Sequence, residues 1–237
     1  MKEQPEKPSW NAAYEEGKVL LINKSLRWTS FDAVRKIRNL VRIKKVGHAG
    51  TLDPLATGLL IICTGRFTKR INEYMAQEKE YTGTFILGAT TPTYDLESEP
   101  VDFRETGGIT LPMIREATGQ FTGEIAQIPP AHSAIKQDGK RVYELARQGR
   151  EVILEPRKVT IREFEIVSVD MPVVHFRVVC STGTYIRSLA HDFGKALGCG
   201  AYLGSLCRTR IGTYRLEDAM DIEEFEREVK SAQSMNG

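Results

Sequence analysis

The fourteen residues from Gly47 to Leu60, GHAGTLDPLATGLL, constrain this chain more than any other stretch. Three glycines, one histidine and one aspartate lead into an apolar run from Leu59 to Cys63. Glycine admits φ > 0 and close approach of backbone to its surroundings. Pro54 biases Asp53 toward extended geometry. Such a pattern holds a carboxylate at the mouth of a rigid strand. Asp-Pro flanked by Gly and Thr is also ordinary turn chemistry, so the local pattern fits both a simple turn and a positioned acid.

At 237 residues the chain is long enough for one substantial domain, or one domain with an insertion. Its 41% hydrophobic and 27% charged content is that of a soluble globular protein. No apolar run approaches the roughly 20 residues of a membrane span. Residues 1–18 read as a loose polar leader without signal-peptide design, and the fold is expected to begin near Val19 and occupy 19–237. Cys63, Cys180, Cys199 and Cys207 form no CxxC pair and no zinc spacing, so free thiols in a reducing cytoplasm are expected. Separately, the sequence offers no recognisable site for a metal or an organic cofactor, and none is expected.

The net charge of +2 hides segregated patches. Arg35, Lys36, Arg38, Arg42, Lys44 and Lys45 occur between Ala33 and Leu52 with no acid among them, and a second basic region runs from Lys136 to Lys158. Acids gather at Asp95–Glu105 and Glu217–Glu228. Local basic faces, rather than the total, are what a polyanion meets.

Val19–Ile22 reads as a buried strand. Thr29 or Ser30 starts a helix with Asp32 completing a capping box. Phe31, Val34, Ile37 and Val41 are expected to face its core, and Arg35, Arg38, Arg42 and Lys45 to share its outer face. Tyr81–Ala89 is strand-like, Thr91–Thr106 an acidic irregular excursion, and Thr110 or Leu111 opens a helix. Val159–Val169 and Val173–Cys180 are β-rich. A helix carrying Ile186, Leu189, Ala190, Phe193 and Leu197 ends at Gly198. Leu206–Tyr214 is a strand and the acidic tail a helix. Strands and helices mix without regular alternation, which favours an α+β fold. Arg187 falls in the first turn of a helix that Thr184 is expected to cap. A cation there opposes the macrodipole, so a compensating carboxylate is expected.

The loop closely resembles the catalytic loop of the TruB family of tRNA pseudouridine synthases, G-H-x-G-T-L-D-P-x-A-x-G-x-L, which implies that Asp53 is the catalytic aspartate. Three further segments carry the resemblance: Lys79-Glu80-Tyr81, Gly183-Thr184-Tyr185-Ile186-Arg187-Ser188-Leu189, and Ile128-Pro129-Pro130 on to Gly149. Together they reach from about residue 19 to 215. The resemblance implies a mixed, mainly antiparallel sheet flanked by helices, with an RNA-gripping insertion at about 128–157. It implies that Tyr81 stacks on the target base, that Arg187 pairs with Asp53 and keeps it ionised, and that Tyr185 and Leu206 line the pocket. His48 would hold the space vacated by the flipped uridine. Lys24, Lys136 and Arg141 would bind substrate. The implied reaction is isomerisation of uridine to pseudouridine at position 55 of the tRNA T-loop, on a flipped-out base. The implied partner is the T-arm of tRNA, met by a cytoplasmic monomer with no obligate protein partner and no membrane.

The family usually has Pro where this chain has Ser25, and Tyr or Phe where it has His132. Most bacterial relatives carry a C-terminal PUA-type domain, which is expected to be absent here. An RNA-binding or tRNA-folding protein with modification secondary, and a synthase of another RNA, are the alternatives. A hydrolase built on Asp53 and His48 finds no oxyanion donors or metal ligands in the sequence.

Overall fold

The structure is a computed structural model that describes residues 9–131, 136–137, 140–141 and 154–235. In chain order its elements begin with α1 (Ala12–Glu16), β1 (Val19–Lys24), α2 (Ser30–Val41), β2 (Val46–His48), β3 (Ala56–Thr64) and α3 (Ile71–Met75). Then come β4 (Lys79–Leu87), α4 (Leu111–Ala117), β5 (Gly123–Gln127), β6 (Lys136–Gln137), β7 (Lys140–Arg141), β8 (Arg157–Asp170), β9 (Val173–Cys180) and α5 (Ile186–Ala196). The chain closes with β10 (Ala201–Ile211), β11 (Tyr214–Arg215), β12 (Met220–Asp221) and α6 (Ile222–Ser234). It divides into two units, one formed by residues up to Gln77 together with those from Cys207 on, the other by Glu78–Leu206.

The first unit is organised by β3. Its register with β1 is antiparallel from Val19↔Cys63 to Lys24↔Gly58, and β2 pairs it from Val46↔Thr64 to His48↔Ile62. On one face Leu60 and Ile62 join Ile22, Val34, Ile37 and Val41, with Ile222, Phe225 and Val229 of α6. On the other, Leu59, Ile61 and Cys63 pack with Ala49, Tyr74 and Ile211. Burial on both faces is why this strand reads as an unbroken apolar run rather than an alternation. The acidic tail helix joins this core and ties to α2 through Lys36–Glu226 at 2.5 Å. The chain enters the fold before Val19, because Tyr14 of α1 meets Phe225 edge-on at 6.1 Å.

Helix α2 starts where its sequence says. The Thr29 hydroxyl accepts from the Asp32 amide at 3.0 Å and the Asp32 carboxylate accepts from the Thr29 amide at 3.1 Å, closing the capping box. Phe31, expected in the core, is instead 59% exposed. The inward face runs through Ser30, Val34, Ile37 and Val41, one helical turn apart at each step, and Phe31 sits about 100° round from it. The basic stripe is also shorter than expected. The helix ends at Val41, Arg42 takes a left-handed φ of 55°, and Arg38 turns back to donate to the Val46 carbonyl at 3.3 Å.

In the second unit β4, β9, β8 and β5 are antiparallel neighbours, and the Ala201 end of β10 lies beside β4. Strand β10 thus begins five residues before Leu206, the expected start. An aromatic cluster forms the core: Phe85 stacks on Phe176 at 4.1 Å, while Phe193 of α5 lies 5.6 Å from Phe85 and 5.3 Å from Phe164. Strand β6 pairs β7 through Lys136↔Arg141 and Gln137↔Lys140. The side chains of Lys136 and Arg141, and residue His132, lie outside the described residues. No helix among the described residues is long and apolar enough to cross a membrane.

The capping box is local and separable from the core. Thr29→Ala is expected to cost about 1 kcal/mol, read as a lower urea midpoint with an unchanged slope.

Candidate active site

The site is built around the segment from Ala49 to Pro54, whose backbone is tied residue by residue. The Ala49 amide donates to the Ile61 carbonyl at 2.9 Å. The carbonyls of Gly50 and Thr51 accept from the Arg208 guanidinium at 3.1 and 3.4 Å. The Ser30 hydroxyl both accepts from the Leu52 amide at 2.9 Å and donates to the Leu52 carbonyl at 3.2 Å. The Asp53 carbonyl accepts from the Ala56 amide at 3.0 Å, and that of Pro54 from the Arg27 amide at 2.7 Å. Buried backbone polar groups must find partners, and here strands, a helix N-terminus and a buried arginine supply them. Gly50 stands at φ 94° and Gly58 at φ 100°, backbone that side-chain-bearing residues rarely adopt. A Cβ at Gly58 would also lie 2.4 Å from the Arg208 carbonyl oxygen, so glycine there admits β10 against β3.

Lys24, fully buried at the end of β1, donates to the carbonyls of Trp28 at 2.6 Å and Ser25 at 3.0 Å. It thereby closes the turn from which Arg27, at φ 66°, reaches the loop. Burial pushes the Lys24 ammonium down to about 8, against the opposing pull of the Asp53 carboxylate and with a further push from Arg208. Burial also drives His48 toward its neutral form, and the Arg208 charge adds to that. Asp53 itself is half-buried. Beside the Arg27 turn a groove of about 310 Å³ is lined by Arg27, Trp28, Asp32, Arg35, Lys36 and Asn39. Arg35 is held at 2.7 Å by Asp32.

In the second unit, Arg187 is 4% exposed in the first turn of α5. The carboxylate its position calls for within this unit is Asp95, equally buried, with Nε to Oδ2 at 3.7 Å; Arg187 Nη1 also donates to the Thr93 carbonyl at 3.3 Å. The stretch expected as an irregular acidic excursion therefore folds its Thr91, Thr93 and Asp95 inward. Thr93 and Ser98 share a hydroxyl hydrogen bond at 2.7 Å, and the Glu97 amide donates to Asp95 at 3.0 Å. Thr184 does not cap the helix. Its hydroxyl donates to Ser181, and Tyr185 is the N-cap residue without a side-chain bond. Gln127 takes over the task, donating to the Tyr185 carbonyl at 3.0 Å and accepting from its amide at 2.8 Å. The Arg157 guanidinium lies 5.4 Å from the Tyr185 ring centre. Tyr81 is buried opposite Val178 in the β4–β9 ladder, and Leu206 is half-buried.

His48, Lys24 and Asp53 thus belong to the first unit, and Tyr81, Tyr185, Arg187 and Leu206 to the second. Ser30, Asp95, Gln127 and Arg208 were not singled out by the sequence. Arg208 stands in β10 with a second arginine two residues on, so nothing in the strand's sequence marks it out. Among the described residues no group of three or more His, Cys, Asp or Glu side chains is disposed to hold a metal ion.

Residues 38–186 match the family described as TruB family pseudouridylate synthase (N terminal domain), and residues 187–235 match the tRNA pseudouridylate synthase B C-terminal domain. The tRNA pseudouridine synthase B of Flavobacterium johnsoniae is 57% identical over 220 residues, covering 90% of this chain and 96% of the relative. That of Chlorobaculum tepidum is 49% identical, covering 93% and 94%. Among solved structures, a Cbf5-Nop10-Gar1 complex matches with a TM-score of 0.72 at 28% identity, over 94% of this chain. The chain spans 57% of the length of that solved chain.

The depressed ammonium of Lys24 gives a signed expectation. The unfolded chain keeps the proton to near 10.5, whereas the folded protein releases it near 8. Between those values the unfolded state binds more protons, so this residue's contribution to stability rises with pH, with a slope of at most about 1.4 kcal/mol per pH unit. Urea unfolding of the natural protein and Lys24→Met from pH 7.5 to 10.5 should show that rise only in the natural protein.

Proposed function

Because the chain belongs to the TruB family of pseudouridylate synthases, we propose that it isomerises the uridine of the tRNA T-loop at position 55, with Asp53 as the attacking group. The coarser activity, conversion of uridine to pseudouridine in tRNA, is that of the enzyme named for its relatives. The proposal concerns the position modified and the residues that act.

The atoms balance within the nucleotide and water. The N1–C1′ bond breaks and a C5–C1′ bond forms. The proton on C5 leaves to solvent and N1 acquires one. No electrons are exchanged, so the balance calls for no redox partner. Asp53 acts on ribose C1′ or on uracil C6; both routes lead to the same product. In this reading Tyr81 stacks on the extruded uracil, Arg187 supplies the cation of the site, and Tyr185 and Leu206 line the pocket. His48 occupies the space left by the base. A flat imidazole suits that role, because it can replace base-stacking contacts in the emptied stack.

The observation that carries the reading is the tied backbone on both sides of Asp53. A nucleophile gains most from being held in place before the substrate arrives, and residues 49–54 have the hydrogen-bond partners for that. The exposed cations Arg27, Arg35, Arg42, Lys44 and Lys45 support a phosphate-contacting surface in the first unit. Lys24, closing the Arg27 turn, supports that surface from below, and Lys136 and Arg141 of the insertion are assigned to RNA by resemblance alone. The finer reading also has a monomer acting on the T-arm without a protein partner.

Tritium release from C5-labelled uridine in a tRNA transcript tests the proposal. The natural protein is expected to release tritium. Asp53→Asn is expected to lose release by at least about a thousandfold, on the scale of removing an activated nucleophile, with tRNA affinity retained. Release that survives Asp53→Asn would remove Asp53 from the chemistry. Tight tRNA binding without release by either protein would favour an RNA-folding role. Release that persists when the T-arm is replaced by another stem-loop would overturn the positional assignment.

A further inference from the structure

The buried guanidinium of Arg208 needs an explanation that packing does not supply. Arg208 is 1% exposed on β10. Its Nε donates to the Leu59 carbonyl at 2.8 Å, Nη2 to Gly50 at 3.1 Å and Nη1 to Thr51 at 3.4 Å. Burying a permanent cation costs several kcal/mol before its partners are counted, and an apolar side chain of similar volume fills such a position without that cost. What hydrocarbon cannot do is present a planar fork of donors to several carbonyls at once. An ammonium offers a compact point charge instead of the fork.

The three carbonyls are not equivalent. Leu59 lies within β3, the strand buried on both faces. Gly50 and Thr51 lie three and two residues before Asp53, in the segment between β2 and β3 that has no ladder of its own. One guanidinium therefore joins the strand buried on both faces to the stretch of the candidate site that lacks a ladder. Its own backbone is pinned as well, because Gly58 lets β3 approach the Arg208 main chain to a distance no Cβ would allow. Ser30 takes the next residue, Leu52, through both its amide and its carbonyl.

We infer that Arg208 is a positioning residue for the isomerisation, fixing the Asp53 carboxylate through the backbone of residues 50 and 51. The inference rests on Asp53 being the attacking group, as proposed above. Burial is the main cause that drives Lys24 and His48 away from their charged forms, and the same guanidinium adds a smaller push in that direction. Loss of the fork frees the loop by a fraction of an ångström to an ångström. Misplacement on that scale costs about a hundredfold in rate.

The test is single-turnover pseudouridine formation at saturating tRNA transcript, with filter binding for tRNA affinity and thermal melts, for the natural protein, Arg208→Lys, Arg208→Gln and Phe225→Leu. Phe225 lies in the core of the same unit on α6 and serves as the stability control. Both Arg208 variants are expected to lose about 10- to 100-fold in rate with tRNA affinity within about threefold. Phe225→Leu is expected to lower the melting temperature while keeping the rate at an assay temperature well below its melt. A natural rate in either Arg208 variant would overturn the inference, as would a rate loss in Phe225→Leu of the same size at equal loss of stability. An inactive natural protein would instead sink the function on which the inference rests.

Should both Arg208 variants fail to fold, hydrogen exchange on the natural protein decides. The Ala49 and Leu52 amides are expected to exchange only through global unfolding. Exchange through local opening, orders of magnitude faster, would overturn the inference.

Discussion

A polar loop set among apolar strands must satisfy its backbone without the ladder that its neighbours use. Residues 49–54 have no strand of their own, yet they adjoin β3, which is buried on both faces. The backbone partners described above come from elements held elsewhere: β3 itself, the first residue of α2, the turn closed by Lys24, and Arg208 from β10. The placement of those elements meets this requirement. Helix α2 is rotated so that Ser30, rather than Phe31, points inward, and β10 approaches β3 where Gly58 leaves room.

The second unit meets a similar problem with different means. A cation in the first turn of α5 stands at the positive end of the helix dipole. Asp95 and the Thr93 carbonyl face it from a segment that has almost no regular structure; the Thr91 hydroxyl donating to the Asp95 carbonyl and the hydroxyl bond between Thr93 and Ser98 give that segment its shape. The helix start is further fixed by Gln127, which grips the backbone of Tyr185 on both sides. Aromatic packing around Phe193 carries the opposite face of α5.

What the sequence disclosed was the local and the periodic. The capping box of Thr29 and Asp32 spans four residues and formed as expected. The apolar run of β3 and the spaced residues of α5 are patterns that burial imposes within one element. The Asp53 loop was legible because glycines and proline act at their own positions. Asp95 and Arg208 were not legible, because each gains its meaning from a partner dozens to more than a hundred residues away. Nothing local separates Asp95 from Glu97, Glu99 or Asp102. Thr184 misled for a related reason: a hydroxyl before a helix suggests a cap, but a nearer carbonyl, Ser181, claimed it, and a distant glutamine served instead.

The backbone of Arg27 bears on how this chain can be altered. Its φ of 66° lies where glycine sits at ease and where a residue bearing a Cβ gives up about 1 to 2 kcal/mol. A glycine at this position would relax the turn and still offer the amide that meets Pro54. The arginine is therefore a choice of side chain over backbone comfort. Engineering that stabilises the fold by the obvious replacement would discharge the rim of the groove beside the loop, so under the function proposed above thermal stability and affinity for a polyanion are set in opposition at this one residue.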